Sequence, residues 1–354
     1  MHRASPRRRR RLSGTVSVLL ILGLIGAAVV AINYDTIRAQ YLKLTLLDFE
    51  GPGEGEVVIR IEDGEDGLVI TQKLLDAGVI RDFDSFYRHL IENSAVFYPG
   101  SFMMRLQMSN QSALEVLSNP GNAMTYRVTI PEGYRAVQIF AELSKITGIP
   151  AGEFESVAKD LSGLGIPDEA LTIEGYLFPA TYNFDTDATA REIIETMVER
   201  MKQELIRFDV SEGKWHELLT LASIVQREAK LEQDFYKVSR VFANRIELGM
   251  KLETDPTISY SYSGKDMSEL SRQKQIEHGY NTYLIEGLPP GPIASPGALA
   301  IEATLNPVAG DWLFFVTINL ESGETKFSKT LAEHEKWVVF LRQWERENPN
   351  WYDQ

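Results

Sequence analysis

Apolar and polar positions follow two different periods along this chain, and each period predicts its own kind of element. Alternating apolar and polar residues, ending in an acid–glycine pair, occur at 57–64 and again at 126–133. This pattern is typical of a strand that leads into a tight turn. After each of them, apolar residues recur three and four positions apart until a glycine, Gly78 or Gly148, as expected for a helix.

The pattern continues in parallel in both regions, which indicates an internal repeat. Each first helix is followed by a second helix, a second strand and a further helix. The predicted first helices are 68–77 and 136–147, and the second helices are 83–93 and 153–161. The second strands are predicted at 99–106 and 174–182, and the further helices at 113–117 and 190–205. The alternative interpretation is two α+β units that are similar by coincidence.

The order strand, helix, helix, strand resembles the LysM module, a small βααβ unit. The second copy, YRVTIPEGYRAVQIFAELSKITGIP at 126–150, is the closer match. LysM modules bind the N-acetylated sugars of peptidoglycan or chitin, so the resemblance implies sugar binding. A similar shape does not by itself establish binding, and both copies could instead serve as a rigid spacer.

The C-terminal part has a different pattern. Helical periodicity predicts helices at 215–230, 234–248, 298–306 and 331–345, and the apolar run at 312–319 predicts a strand. The loop at 287–297 contains four prolines and three glycines, which exclude both a helix and a strand. So rigid a loop is expected to form a wall or lid over a site.

One carboxylate interrupts the apolar face of the helix at 215–230. Glu228 follows Ile224 by four positions and Val225 by three, so it occupies a position where a core residue is expected. Burial raises the pKa of a carboxyl group. A carboxyl that stays protonated near neutral pH can act as a general acid.

A purely structural role for the same residue is equally compatible with helix geometry. Glu228 could be a buried structural glutamate that forms an ion pair with Arg227 or Arg245. Gln226 points roughly 200° away around the helix and therefore cannot share a pocket with Glu228.

The N-terminal region predicts a membrane anchor. Residues 14–32 contain no charged residue, and this length matches the ~20 residues that a spanning helix needs. Six arginines precede it, which favours a cytoplasmic N-terminus by the positive-inside rule. A cleavable signal peptide is the competing interpretation, but its apolar region would be shorter. We therefore expect an uncleaved membrane anchor, with the rest of the chain outside the cytoplasm.

Composition narrows the possible partners. The net charge is −14 in spite of the six N-terminal arginines, so the remaining chain is strongly acidic. Such a charge argues against nucleic acid or an anionic bilayer surface as the target. The chain has no cysteine, so its fold must depend on hydrophobic cores rather than disulfides.

A series of motifs in the C-terminal part resembles the endolytic murein transglycosylase (YceG-like) family. In chain order they are ASIVQREA at 222–229, VFANRIELGMKLETDPT at 241–257, YNTYLIEGLPPGPIASPG at 280–297, LNP at 305–307, LFFV at 313–316 and FSKTLAEH at 327–334. Any one of them would be weak alone, but their common order makes the resemblance specific.

This resemblance implies a particular chemistry. The family cleaves the β-1,4 bond between N-acetylmuramic acid and N-acetylglucosamine, with the muramic C6 hydroxyl as nucleophile, and leaves a 1,6-anhydro end. One carboxyl can then serve as both acid and base, whereas an ordinary glycosidase needs two. Glu228 matches the catalytic glutamate of the family. Relatives often carry a second acid at the position of Gln226, which is not an acid here.

Five polar side chains in these motifs are candidate sugar contacts, because amides and carboxylates hydrogen-bond to hydroxyl and N-acetyl groups and tyrosines offer amphipathic faces. They are Asn244, Asp255, Tyr280, Asn281 and Tyr283. Asp255 could alternatively cap a Thr-Asp-Pro turn, and Asn244 could pack against or cap a helix. His334 is predicted to be a structural hydrogen-bonding residue rather than a catalyst.

Other chemistries have little support in the sequence. Ser271 and Lys274 fit the S-x-x-K acyl-enzyme motif, but no K-T-G motif accompanies them. The five histidines are scattered and no cysteine is present, so no metal site is expected. No glycine-rich nucleotide motif occurs, and no cofactor is expected.

Taken together, the sequence predicts an α+β protein with an N-terminal transmembrane helix, LysM-like βααβ units and a mixed α+β catalytic domain. The predicted segments are a cytoplasmic basic tail at 1–13, the transmembrane helix at 14–32, a stem and linker at 33–55, LysM-like units at 56–125 and 126–185, and the catalytic transglycosylase domain at 186–354.

The expected partners are peptidoglycan glycan strands, a peptidoglycan synthase and, through 14–32, the lipid bilayer, without nucleic acid. A non-catalytic glycan-binding scaffold of the cell envelope is the alternative function. A well-filled core around Glu228 would favour the scaffold, and a cleft lined by Asp255, Asn281 and Tyr283 would favour the enzyme.

Overall fold

The computed structural model describes residues 33–34, 48–261, 274, 277–349 and 351. It is a mixed α+β structure, as the sequence predicts, and it divides into two compact units, Met1–Met124 and Thr125–Gln354. The basic tail at 1–13 and the predicted transmembrane helix at 14–32 lie outside the described residues. In the part of the chain that is described, no helix is both long enough and apolar enough to cross a bilayer.

The first unit is an antiparallel strand pair with two helices between its strands. Strand β1 (Glu54–Ile61) pairs with β2 (Gly100–Leu106), and helices α1 (Gly67–Asp76) and α2 (Phe83–Glu92) connect them. Helix α3 (Asn110–Leu117) follows. The predicted order of strand, helix, helix, strand and helix is therefore observed in this unit.

Aspartate caps and an apolar core explain why this unit folds. The Asp66 carboxylate accepts hydrogen bonds from the backbone N–H groups of Leu68 and Val69 at the start of α1, and Asp82 accepts one from Ser85 N–H at the start of α2. The core residues come from the inner faces of both helices and both strands; they include Ile59, Ile70, Leu74, Phe86, Phe102 and Met104.

The second unit begins with the same order of elements. Strand β3 (Thr125–Thr129) pairs antiparallel with β4 (Thr181–Asp185), and helices α4 (Ala136–Thr147) and α5 (Ala151–Ala158) lie between them in the chain. Helix α6 (Ala190–Arg207) follows β4, as α3 follows β2. The repeat that the sequence predicts is thus present at the level of secondary structure.

The predicted strand at 174–182 is wrong over most of its length, because β4 includes only its last two positions. The segment before β4 turns instead. Gly175 has a φ of +83°, and a Cβ on it would lie 2.3 Å from the Cβ of Pro292. The carboxylate of Glu174 accepts a hydrogen bond of 2.8 Å from the Ala136 N–H at the start of α4. The helix cap from Glu174 and the close approach of Gly175 to Pro292 therefore occur where a strand was predicted.

The rest of the second unit consists of helices and a β-hairpin; four helices and β5 lie near the predicted positions, whereas α9 and β6 were not predicted. The elements are α7 (Trp215–Glu228), α8 (Glu232–Glu247), α9 (Asp255–Ser261), α10 (Ala298–Leu305), β5 (Phe314–Asn319), β6 (Glu324–Ser328) and α11 (Leu331–Glu347). Helix α7 packs against α10 and α8, and α11 packs on the β5–β6 hairpin. One core joins these helices to the second βααβ segment; it includes Val128, Phe140, Phe184, Leu219, Val225, Phe242 and Ile301.

The proline-rich loop at 287–297 forms neither a helix nor a strand, as predicted, but it lies inside the unit. Residues 291–297 are buried. Ile293 N–H donates to Ser223 Oγ at 3.0 Å, and Gly297 N–H donates to Gln226 Oε1 at 2.9 Å. Both acceptors belong to α7, so the loop supports this helix from behind rather than forming a wall or lid over Glu228.

The close approach at Gly175 generates a stability prediction. Gly175→Ala and Gly148→Ala both place a side chain at a positive φ, +83° and +77°, which costs about 1–2 kcal/mol. Only at Gly175 does the added methyl overlap a neighbour, Pro292, which adds about 1–3 kcal/mol of overpacking. Urea unfolding of the purified variants should therefore show a larger loss for Gly175→Ala, and equal losses would contradict the described contact.

Candidate active site

Glu228 is the last residue of α7, at the point where the helix gives way to extended backbone at Ala229. Ile224 and Val225, one turn earlier, are fully buried. Glu228 itself keeps part of its surface accessible. The apolar face of α7 therefore runs through the core and presents a carboxyl group at its end.

This carboxyl opens into a pocket of about 340 Å³. The walls come from the C-terminal end of α7, one face of α8, the segment before α9, the start of α9, the loop that carries Tyr283, strand β5 and the first turns of α11. The lining residues are Glu228, Phe242, Arg245, Leu252, Glu253, Thr254, Asp255, Tyr283, Phe314, Phe315, Leu331 and His334. The pocket thus combines a partly buried acid, aromatic walls and further charged groups.

The environment of Glu228 raises its pKa from 4.5 to about 7. Burial is the largest cause, because it disfavours the charged form, and the negative charge of Asp255 adds to it. The Thr254 hydroxyl donates a short hydrogen bond to Glu228 Oε1, which acts in the opposite direction, as do the charges of Arg245 and Arg227. Near neutral pH, a substantial fraction of Glu228 is therefore protonated.

Arg245 lines the same pocket but is bound elsewhere. Its Nε donates to the Leu313 carbonyl at 2.7 Å, and its Nη1 lies 3.4 Å from the Glu253 carboxylate. Arg227 donates to a backbone carbonyl at 3.3 Å. Among the described residues, no ion pair involves Glu228. The ion pair of Glu228 with Arg227 or Arg245, which the sequence allows, is therefore not observed.

Asp255 and Tyr283, two of the predicted sugar contacts, do lie in the pocket. The Tyr283 hydroxyl donates to Asp255 Oδ1 at 2.5 Å, and Lys274 Nζ forms an ion pair with the same oxygen at 2.6 Å. Lys274 Nζ also lies 4.4 Å from the centre of the Tyr283 ring. Asp255 is also the first residue of α9, so it begins a helix as well as facing the pocket.

Tyr280 and Asn281 do not line this pocket. Asn281 is fully buried; its Nδ2 donates to the Lys274 carbonyl at 3.1 Å and its Oδ1 accepts from Tyr283 N–H. The Tyr280 ring packs against the ring of Tyr260, with centres 4.9 Å apart. Both residues lie in the loop that carries Tyr283, but their side chains do not face the Glu228 pocket.

Asn244 also lies outside the pocket lining. Its Nδ2 donates to the carbonyls of Gly310 at 3.1 Å and Trp312 at 2.9 Å, just before β5 begins. These hydrogen bonds run to the loop before β5, so they neither cap a helix nor pack one helix on another. Asn244 fixes the entry into a strand whose next residues, Phe314 and Phe315, form a wall of the pocket.

His334 lies in the pocket, where the sequence assigned it only a structural role. Its ring is 5.6 Å from that of Phe314. Burial and the nearby Arg245 lower its pKa, so the imidazole is neutral near neutral pH. Its Nδ1 is buried and has no hydrogen-bond partner among the described residues. The predicted structural hydrogen bond is therefore not observed at this nitrogen.

A second buried carboxyl, Glu174, was not singled out by the sequence analysis. Burial raises its pKa to about 7, as for Glu228. One of its oxygens caps the start of α4 through the Ala136 N–H, and it lines a separate groove with Tyr260. A helix cap explains this carboxyl, whereas Glu228 receives no backbone hydrogen bond in the described part of the chain and faces the aromatic pocket.

Sequence reasoning assigned no role to the pocket residues Thr254, Phe314 and Phe315, and considered Arg245 only as an ion-pair partner of Glu228. All four lie within the family-like motifs, but no pattern in the sequence indicated that Thr254 and the two phenylalanines would face Glu228. The described residues contain no group of three histidine, cysteine or acidic side chains that could hold a metal ion.

Residues 59–339 match the YceG-like family. The chain belongs to that family. It is 31% identical over 320 residues to the endolytic murein transglycosylase of Bacillus subtilis (strain 168), covering 84% of this chain and 88% of the relative.

Two further proteins are similar to this chain. The endolytic murein transglycosylase of Streptococcus pneumoniae (strain ATCC BAA-255 / R6) is 27% identical over 361 residues, covering 92% of this chain and 64% of the relative. The crystal structure of a yceG-like protein from Listeria monocytogenes matches with a TM-score of 0.51 and 28% identity, covering 80% of this chain and 99% of that one. The family resemblance in the sequence is confirmed.

The two groups beside Glu228 are expected to move its pKa in opposite directions. Thr254→Val removes the hydrogen bond that favours the ionised carboxyl, so the Glu228 pKa should rise above that of the wild type. Asp255→Asn removes a negative charge, so the Glu228 pKa should fall. Carboxyl ¹³C NMR titration measures both shifts, with Glu228→Gln identifying the resonance. Shifts of the same sign would contradict the described environment.

Proposed function

We propose that this protein is an endolytic peptidoglycan lytic transglycosylase that cleaves the N-acetylmuramic acid–N-acetylglucosamine β-1,4 bond and leaves a 1,6-anhydro end. The observation that carries this proposal is the Glu228 carboxyl, whose pKa is raised to about 7 at the end of an apolar helix face and which opens into a pocket. The names of the relatives in Bacillus subtilis and Streptococcus pneumoniae support the same substrate class.

In the proposed reaction, Glu228 acts twice. Its protonated form gives a proton to the glycosidic oxygen, the bond from muramic C1 to that oxygen breaks, and N-acetylglucosamine leaves with a free hydroxyl. The muramic C6 hydroxyl then attacks C1 and gives its proton to the Glu228 carboxylate. A new C6–O–C1 bridge forms, and the acid is restored. A pKa near the working pH suits a group that must both donate and accept a proton.

Asp255 is assigned an electrostatic role in this scheme. Positive charge develops at the muramic C1 as the glycosidic bond breaks. A carboxylate in the same pocket favours that charge, and Tyr283 and Lys274 hold Asp255 in a fixed position. Asp255 is also the carboxylate that a hydrolytic mechanism would use as a second group. The two mechanisms differ in the end that they leave on the product.

A non-catalytic glycan-binding scaffold is the second candidate function. It predicts a glutamate inside a filled core. Glu228 instead borders a pocket that Asp255 and Tyr283 also line, which favours the enzyme, although Asn281 lies outside that lining. The βααβ segments, proposed as LysM-like units, are compatible with either function, as glycan-binding modules or as spacers.

The proposed location is the outer face of a bacterial cytoplasmic membrane. The support is the charge pattern of the sequence: six arginines followed by the uncharged segment at 14–32. In this arrangement the active site lies near emerging glycan strands, and a peptidoglycan synthase is the proposed protein partner. The enzyme would then cut new strands internally and limit their length.

Digestion of uncross-linked glycan strands tests the activity. The wild-type protein should release internal fragments that end in 1,6-anhydro-muramic acid, identified by mass spectrometry. Glu228→Gln should reduce the rate by at least about 10²–10⁴, the usual contribution of general acid–base catalysis. Thermal unfolding of both proteins provides the control for folding.

The product ends distinguish the alternatives. Reducing ends from the wild type would indicate a hydrolase and point to Asp255 as the second carboxylate. Strand binding without cleavage by either protein would support the scaffold. Equal cleavage by wild type and Glu228→Gln would contradict the role of Glu228.

A further inference from the structure

A second groove lies on the β5–β6 hairpin and the adjoining face of α11. Its volume is about 520 Å³. We call it the aromatic groove and define it by six residues: Trp312, Phe327, Lys329, Lys336, Trp337 and Phe340. Neither the family comparison nor the proposed role of Glu228 assigns it a function.

The aromatic rings of the groove keep part of their surface open to solvent, although Phe327 also packs against the core. The ring centres of Trp337 and Phe340 are 5.4 Å apart, and those of Trp312 and Phe327 are 5.9 Å apart. Phe340 is 51% exposed, and no residue of Leu331–Glu347 is buried. Exposed apolar surface of this kind marks a binding site more often than it serves stability.

Lysines border these rings. The acids beside the lysines form ion pairs with them or accept a hydrogen bond. Lys326 Nζ lies 5.4 Å from the centre of the Trp337 ring and forms an ion pair with Glu324 at 2.7 Å. Lys329 forms an ion pair with Asp311 at 2.6 Å. The Glu333 carboxylate, which also faces the groove, accepts a hydrogen bond from Lys329 N–H at 3.1 Å.

The aromatic groove adjoins the wall of the Glu228 pocket. Phe327 belongs to the groove, and its ring packs 6.1 Å from that of Phe315, which lines the pocket. On α11, His334 lines the pocket, and Trp337, one turn later, lines the groove. A single hairpin and a single helix therefore carry both surfaces, so a chain leaving the pocket in this direction would meet the groove.

We propose that the aromatic groove binds sugars of the same glycan strand, several residues away from the bond that Glu228 cleaves. This inference rests on the proposed function. An enzyme that cuts inside a strand must hold chain on both sides of the bond. Sugar rings have apolar C–H faces that pack on aromatic rings, and the stem peptides of muramic acid carry carboxylates that complement the charge of Lys336.

Strand binding without turnover tests the groove directly. In the full-length protein carrying Glu228→Gln, calorimetry with long uncross-linked glycan strands should show binding about tenfold weaker after Trp337→Ala or Trp312→Ala, which corresponds to about 1.4 kcal/mol. Val339→Ala is the matched control, because Val339 is 58% exposed on the same helix and outside the groove. It should leave binding unchanged.

Strand length supplies the second readout. With Glu228 intact, Trp337→Ala should lower kcat/KM for long strands by about tenfold and leave cleavage of the shortest cleavable fragment unchanged. A general loss of folding would lower both, and Trp337→Phe should restore most of the long-strand rate.

The failure of this inference is distinguishable from failure of the proposed function. Unchanged binding and an unchanged length dependence in both tryptophan variants would overturn the groove as a glycan site, even if the wild type cleaves. Weaker binding in the Glu228→Gln background would support the groove, even if no cleavage is found. Binding of the wild type, but not of Trp337→Ala, to lipid vesicles with no effect on glycan would assign the surface to the membrane and overturn the proposal.

Discussion

The burial of one carboxyl group at the end of a helix is the constraint on which the active site depends. Burial disfavours the charged form of Glu228 and the negative charge of Asp255 adds to this effect, so together they raise its pKa to about 7. Its pKa lies above the value of an unfolded chain, so its contribution to stability is present below about pH 4.5 and is lost as the pH rises through about 7. Burial of Glu228 therefore lowers the stability of the fold at neutral pH, but it keeps a fraction of the carboxyl protonated.

The rest of the second unit is arranged to support this position. Helix α7 is packed against α10 and α8, and the buried proline-rich loop is hydrogen-bonded to Ser223 and Gln226 on the side away from the pocket. Thr254, just before α9, limits how far the Glu228 pKa rises. A rigid scaffold behind the acid and a single hydroxyl beside it together set its protonation.

Periodicity in the sequence predicts the elements, because each helix buries one face and each strand alternates. It also identifies Glu228, since an acid on an apolar face violates that pattern. It fails at 174–182, where the cap from Glu174 and the contact of Gly175 with Pro292 depend on chain segments that are distant in sequence.

The predicted sugar contacts fall into two groups, because the direction of each side chain also depends on chain segments that are distant in sequence. Asp255 and Tyr283 face the pocket, whereas the equally polar Asn244 and Asn281 hold backbone carbonyls. Motif membership places a residue near the site but does not tell which way its side chain points.

The decisive measurement is the titration of Glu228 in the wild-type protein, followed by carboxyl ¹³C NMR and assigned with Glu228→Gln. A midpoint near pH 7 is expected. A midpoint near 4.5 would contradict the raised pKa, because Glu228 would then be an ordinary ionised carboxylate.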